Sequence, residues 1–260
     1  MGDRFTGKVV IVAGGANGIG AATARRLSRD GATVAVADID VAGAEKVAAE
    51  LQEAGGRSMA VGMDLRDEAS VAAMVGAVVA DLGRVDGLYN VAADTAPATI
   101  GSDTDAVSVP LDTWDRTIEV NLRGYLLTCR HAVPAMLANG GGAIVCTSSL
   151  AAYGGGSTLI SYGVSKAGVH ALTRYVASTW GRQGIRCNTV VLGMVMTEAL
   201  KSGITAEAMA QLTASLHVPE PGTPDDVADA VAFLLSDESR YINGESIRVD
   251  GGMGIGQGGS

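Results

Sequence analysis

Basic side chains are scarce in this chain: 19 Lys and Arg stand against 28 Asp and Glu, a formal charge of −9. Nucleic-acid binding draws on a basic face that neutralises phosphates, so that class of partner is set aside. A nucleotide cofactor is not excluded, because a helix N-terminus can hold phosphate without Lys or Arg. The cysteines, Cys129, Cys146 and Cys187, stand far apart with no Cys-x-x-Cys, and read as reduced core thiols. His131, His170 and His217 lack metal-ligand spacing, so no metal site is expected. No apolar run reaches transmembrane length, and no charged-then-apolar signal pattern opens the chain. The first six residues, Met1 to Thr6, fit a loose myristoylation pattern too short to carry weight. A soluble cytoplasmic protein without a membrane partner is the expectation. Aromatics, at 4%, are too few to suggest a β-sandwich.

Gly, Ala and Val are plentiful instead, which suits close packing of helices on a sheet. The 260 residues are 47% hydrophobic, enough for a sizeable core. Apolar runs at Lys8–Ala13, Thr33–Asp38, Ser58–Gly62, Val85–Tyr89, Ala143–Thr147, Ile185–Val191 and Ser246–Val249 read as strands. Helical stretches alternate with them: 21–30, 41–54, 67–81, 111–138, a stretch through Tyr162 to about Gly181, and one opened by Thr223-Pro224. The pattern predicts one α/β domain over 1–260, a doubly wound parallel sheet of about seven strands with helices on both faces. Its cofactor half is expected at about 1–150 and its substrate half at about 151–250, with a flexible Gly-rich tail at 251–260. The stretch 200–218 reads as mobile. Residues 94–110, with Asp103 and Asp105, form a long polar loop that either lines the mouth of a site, its acids touching a substrate, or runs through solvent.

Between the first two strands lies Gly14-Gly15-Ala16-Asn17-Gly18-Ile19-Gly20. Glycines there let the backbone turn tightly and approach a pyrophosphate at the helix N-terminus. Asp38 ends the second strand, near the spacing at which an acid meets an adenosine ribose. Its carboxylate accepts from two hydroxyls and repels a 2′-phosphate, and no Arg or Lys flanks it at 15–17 or 39–41. The expected cofactor is therefore NAD rather than NADP. Asp64 follows the third strand, as an acceptor for the adenine amino group or as a cap for the next helix.

Tyr162 and Lys166 stand four apart, on one face of a helix about one turn apart. A neighbouring ammonium favours the phenolate, which would lower the phenol from its reference of about 10 and make it a usable acid or base. Residues 14–20, Asp38, Asn90, Ser149 and 192–197 all follow strands. In such sheets these positions converge on one edge, where ligands bind.

On the Gly14/Gly18/Gly20 turn, Asp64, Asn90, Asn121, Ser149 thirteen residues before Tyr162, Lys166, and Gly193 through Thr197, the chain resembles the short-chain dehydrogenases/reductases over nearly its whole length. The resemblance implies an NAD-dependent enzyme that interconverts a secondary alcohol and its ketone by hydride transfer. Tyr162 would be the general acid/base, and Ser149 would hold the substrate oxygen. Lys166 would lower the Tyr162 pKa and bind the nicotinamide ribose, with Asn121 supporting it through a water; a local bend bond is the alternative for Asn121. Cofactor contacts are implied for Gly14, Asn17, Gly18, Ile19, Gly20, Asp38, Asp64, Leu65, Asn90, Tyr162, Lys166, Gly193, Val195 and Thr197. A homotetramer built on helices 111–138 and 161–181 and on the last strand is also implied.

Three positions depart from the family pattern: Ala13 for Thr, Val91 for Asn, and Leu192 for Pro. Ala13 and Val91 could have lost matching partners together, so that neither leaves a polar group unpaired. Leu192 is expected to loosen the turn before Gly193. Met194, Met196, Met209, Leu212 and Leu216 make either an adaptable apolar lid or plain core. A lid would favour an apolar alcohol, cyclic or steroid-like. An epimerase or dehydratase is disfavoured by the short stretch after Val191. A nucleotide-binding regulator or structural protein of the same fold is the remaining alternative.

Overall fold

Seven runs rich in Val, Ile and Ala hydrogen-bond in parallel, in the order β3-β2-β1-β4-β5-β6-β7. The computed structural model describes residues 4–255, apart from the side chain of Leu212. The strands are β1 (Val9–Ala13), β2 (Thr33–Asp38), β3 (Arg57–Gly62), β4 (Gly87–Asn90), β5 (Gly142–Ser149), β6 (Ile185–Leu192) and β7 (Ser246–Val249). Parallel strands covered on both faces need no apolar–polar alternation, which is why β1 is buried at all five residues. The helices are α1 (Gly18–Arg29), α2 (Val41–Glu53), α3 (Glu68–Leu82), α4 (Pro97–Ser102), α5 (Leu111–Ile118), α6 (Gly124–Ala138), α7 (Ile160–Trp180), α8 (Glu198–Gly203), α9 (Ala206–Ala214) and α10 (Pro224–Leu235).

Strand alternation splits the core in two. Val9, Ile11 and Ala13 face a cluster with α3, α6 and α7, through Met74, Met136 and Val169. Val10 and Val12 face one with α1, α2 and α10, through Leu27, Val47 and Val231. The helix ends are tied down locally. Asp67 accepts from the Ala69 N–H at the start of α3, and Gly83 closes it at φ +83°. Thr223 and Asp226 make a reciprocal capping box on α10, worth about 1 kcal/mol.

The structure adds detail to several expectations and corrects others. The stretch 111–138 is helical throughout, as expected, but a π-helical turn, Glu119–Arg123, joins α5 to α6 and carries Asn121. The stretch 200–218 holds the end of α8 and the whole of α9, which leaves its mobility untested. Residues 94–110 include α4 and two buried acids, Asp94 and Asp103, so the loop is not a solvated excursion. The tail is held as far as Gly254. Asp250 accepts from Gly252 and Gly254, and Arg248 donates to the Gly254 carbonyl. Residues 256–260 lie outside the described residues.

Ala13 and Val91 are not a matched pair. Ala13 lies in the α6/α7 cluster beside Asn90 in register, while Val91 packs against the other cluster. Ala13→Thr should still destabilise, by about 1 kcal/mol in urea unfolding. Ala13 is 1% exposed, and overpacking by about 1–3 kcal/mol exceeds the gain from one hydrogen bond. Nor does Leu192 loosen its turn: it continues β6, paired with Ser149 and Val249.

Candidate active site

Because every pairing is parallel, the carboxyl ends of the strands share one edge. The order reverses between β1 and β4, which opens a crevice there. The turn after β1 cannot accept a side chain at Gly14 or Gly20. A Cβ on Gly14, at φ +106°, would stand 2.5 Å from the Ala92 nitrogen; one on Gly20 would stand 1.9 Å from the Gly14 oxygen. The Asn17 side chain makes no capping bond at the start of α1, leaving first-turn N–H groups for an anion. This glycine cradle and uncapped helix fit a dinucleotide pyrophosphate.

Asp38 stiffens the same turn. One carboxylate oxygen accepts from the Ala16 N–H at 3.0 Å, the other from Asp40 at 3.0 Å. Residue 197 arrives from the far half of the chain: a Cβ on Gly18 would stand 3.6 Å from Thr197 Cγ2. Thr197 also caps α8, accepting from the Leu200 N–H. Val195 bridges to Gly222, and Gly193 lies against Asp250.

Asp64 does not cap α3, since Asp67 does. It is gripped by Arg66 at 2.8 and 3.1 Å, and those hydrogen bonds hold its carboxyl below the ordinary range. Leu65 and Asn90 point into the core. Leu65 packs under Gly124. Asn90 accepts from Thr128 at 2.8 Å and lies 3.6 Å from the Cys146 sulfur. Any ligand contact from these two is therefore a backbone contact.

β5 pairs three residues past the end of β4 and delivers Ser149 to the edge. Ser149 Oγ accepts from Ala151 N–H at 3.2 Å and lies near enough to the Tyr162 phenol to pull its pKa down. Lys166 is 1% exposed. Its ammonium donates to the Thr147 carbonyl at 3.0 Å, and lies 5.1 Å from the Tyr125 ring centre and 5.7 Å from that of Tyr162. Asn121 Oδ1 accepts from Asp94 N–H at 2.8 Å, and its amide reaches Ser165 Oγ at 3.4 Å. These bonds are tertiary, not a local bend contact.

The electrostatics differ from the expectation. Burial raises the Tyr162 phenol above 10, and only Ser149 pulls it down. Burial also lowers Lys166 from 10.5 to about 8. In this arrangement the Lys166 charge, 5.7 Å from the Tyr162 ring centre, does not offset the burial of the phenol.

A family model described as enoyl-(acyl carrier protein) reductase matches residues 13–254. A probable short-chain type dehydrogenase/reductase of Bradyrhizobium diazoefficiens is 41% identical, over 96% of this chain and 88% of its own. The chain belongs to the short-chain dehydrogenase/reductase family. It is an oxidoreductase acting on CH–OH groups with a nicotinamide cofactor. Cis-4-hydroxycyclohexanecarboxylate dehydrogenase of Sinomonas cyclohexanicum is 39% identical, covering 97% of this chain and 98% of that one. A solved 7α-hydroxysteroid dehydrogenase, complexed with NADH and 7-oxo glycochenodeoxycholic acid, superposes with a TM-score of 0.89. It is 32% identical and covers 96% of this chain and 95% of that one.

Sequence reasoning missed two neighbours of this dehydrogenase/reductase site, Thr147, whose carbonyl holds Lys166, and Tyr125 beneath it, and the capping work of a third, Asp103. A backbone acceptor has no sequence signature, and Tyr125 reads as an ordinary core aromatic. The lid residues divide. Met196 is buried, Met194 is exposed, and Met209 and Leu216 are half-buried; the side chain of Leu212 lies outside the described residues. Plain core therefore describes Met196 alone among the four.

Proposed function

We propose that this enzyme uses NAD to interconvert a cyclic, largely apolar secondary alcohol and its ketone, with residues 4–255 acting as one domain. The observation that carries the chemistry is the Tyr162 ring 5.7 Å from the ammonium of a buried Lys166, with Ser149 near its phenol, at the carboxyl edge that also bears the glycine cradle. Ser149 holds the substrate oxygen, and Tyr162 takes its hydroxyl proton or returns it. Lys166 lies beneath as a charge that strengthens in the dry site, and Asn121 fixes the segment behind it. The nicotinamide, when bound, supplies the hydride acceptor; Thr197, Val195, Gly193 and Lys166 would orient it. The phosphates would lie on Gly14, Asn17, Gly18, Ile19 and Gly20, the ribose on Asp38, and the adenine by Asp64, Leu65 and Asn90. The cyclic substrate is supported by two relatives named for cyclic alcohols and by the half-exposed Met194, Met209 and Leu216.

The test is initial NADH formation with NAD and NADP in parallel, against aliphatic, cyclic and steroid secondary alcohols. Turnover of cyclic alcohols with NAD is expected. Faster turnover with NADP would overturn the role of Asp38, and NADH binding without turnover of any alcohol would favour a nucleotide-binding regulator. Asp38→Asn should cut kcat/KM for NAD about tenfold while leaving NADP nearly unchanged, because one charged acceptor becomes neutral.

A homotetramer is supported by large apolar side chains left exposed on α6 and α7, namely Leu126, Val164 and Tyr175. Light scattering at micromolar concentration checks it. A cytoplasmic location is supported by three buried, unbridged cysteines. Among the described residues no helix is long and apolar enough to cross a membrane, and no group of three His, Cys, Asp or Glu could hold a metal.

A further inference from the structure

α7, the helix bearing Tyr162 and Lys166, has no cap of its own. Leu159 occupies the N-cap position at φ +65°, and its side chain can accept nothing. The first N–H groups of a helix need acceptors from elsewhere. Here all come from two residues of the 94–110 loop. Leu159 N–H donates to the Asp103 carbonyl at 2.8 Å and Ile160 N–H to the Thr104 carbonyl at 3.3 Å. Ser161 donates from N–H at 2.9 Å and from its hydroxyl at 2.8 Å to Asp103 Oδ1. Tyr162 N–H donates to Asp103 Oδ2 at 2.9 Å. Asp103 is 2% exposed, so these bonds meet little competition from water.

The other end of the loop grips the same residue indirectly. Asp94 is fixed by Arg116 and by Thr99, and its N–H donates to Asn121. Asn121 reaches Ser165 Oγ, which donates to the Tyr162 carbonyl at 2.7 Å. The loop thus holds the Tyr162 backbone at its N–H directly and at its C=O through two side chains.

We infer that Asp103 is a positioning residue: from the loop after β4 it caps the catalytic helix and sets the height of the Tyr162 phenol against Ser149. Only the catalytic meaning of that position rests on the proposed function. A displacement of about 1 Å at a reacting group can cost about 100-fold in rate.

Asp103→Asn is the deciding variant. It keeps the shape and one acceptor oxygen, but its amide cannot accept from Tyr162. With the best alcohol of the panel, kcat should fall about 100-fold and KM change less than about threefold. The Tyr162 phenol, read by ultraviolet difference titration against Tyr162→Phe, should titrate lower as water reaches it. A cap that only stabilises the helix would lower the melting temperature and move neither quantity well below melting; that result overturns the inference. A measurement on the wild-type protein stands apart from variant folding and from turnover. Amides of Ser161 and Tyr162 should exchange as slowly as those in the middle of α7, and fast exchange would overturn the cap. If the wild type turns over no alcohol, the proposed function fails, while the amide and phenol measurements still decide the placement by Asp103.

Discussion

Tyr162→Phe should lower turnover about 1,000-fold or more while leaving the fold and NADH binding intact. The phenol, with Ser149 beside it, is placed to exchange a proton with an oxygen that Ser149 holds, and positioned acid–base groups contribute about 100- to 10,000-fold. Phe keeps the ring that lies 5.7 Å from the Lys166 ammonium and removes a hydroxyl whose described side-chain partner is Ser149. Its melting temperature should therefore stay within about 2 °C of wild type. NADH formation, a fluorescence titration with NADH, and a thermal melt read the three quantities. Residual turnover within about tenfold of wild type would show that another group moves the proton.

The same residue sets the direction of the pH profile. Burial holds the phenol above 10, so near neutrality most of it is protonated. Alcohol oxidation needs the phenolate as base and should rise about tenfold per pH unit on its acid limb. Ketone reduction needs the phenol as acid and should fall only at high pH. A plateau in oxidation reached below about pH 8 would show that something in the working enzyme offsets the burial.

The Tyr–Lys spacing was legible because four residues make one helical turn, and the structure does put both side chains on one face of α7. Its electrostatic consequence was not legible. Spacing reports distance along a helix, whereas the pKa depends on which tertiary surfaces exclude water, and here that exclusion outweighs the neighbouring charge. Strands β1, β2 and β7 were readable almost to the residue as apolar runs between turn residues. The start of β4 lies two residues later than its apolar run and its end one later, because Val85 satisfies the apolar pattern without joining the ladder. The π turn at 119–123 carries no Gly or Pro; its backbone is accommodated by Asn121 bonding to Asp94 and Ser165, both distant in sequence. The capping role of Asp103 was the least legible feature. Its acceptor work is done 58 residues away, on a helix whose N-cap Leu gives no sign that a cap is needed. Local chemistry marks helices that cap themselves, as Thr223 and Asp226 mark α10. It is silent where a cap comes from another part of the chain.

Lys166→Met should abolish turnover and stabilise the protein. Lys166 is 1% exposed, with the Thr147 carbonyl as its hydrogen-bond acceptor and no carboxylate in an ion pair with it among the described residues. Burial lowers it from 10.5 to about 8. A pKa lower in the folded than in the unfolded state means that the unfolded chain binds the proton more tightly. The cost is full below about pH 8, declines as pH rises, and vanishes above about 10.5. Two to three pKa units correspond to about 3 kcal/mol. Methionine has similar length and no charge, so it removes that cost and loses one hydrogen bond of about 1 kcal/mol. The net gain is about 2 kcal/mol near neutral pH, or roughly 5 °C in melting temperature. Near pH 10 most of the gain should disappear, because the wild-type lysine is then neutral in the folded state. Urea unfolding of both proteins at about pH 7 and about pH 10 reads the gap. A variant less stable than wild type at neutral pH would mean that the ammonium is held by more than a carbonyl and two ring faces. A gain that shrinks with pH, alongside lost turnover, would identify Lys166 as a charge kept in the core for catalysis at the expense of stability.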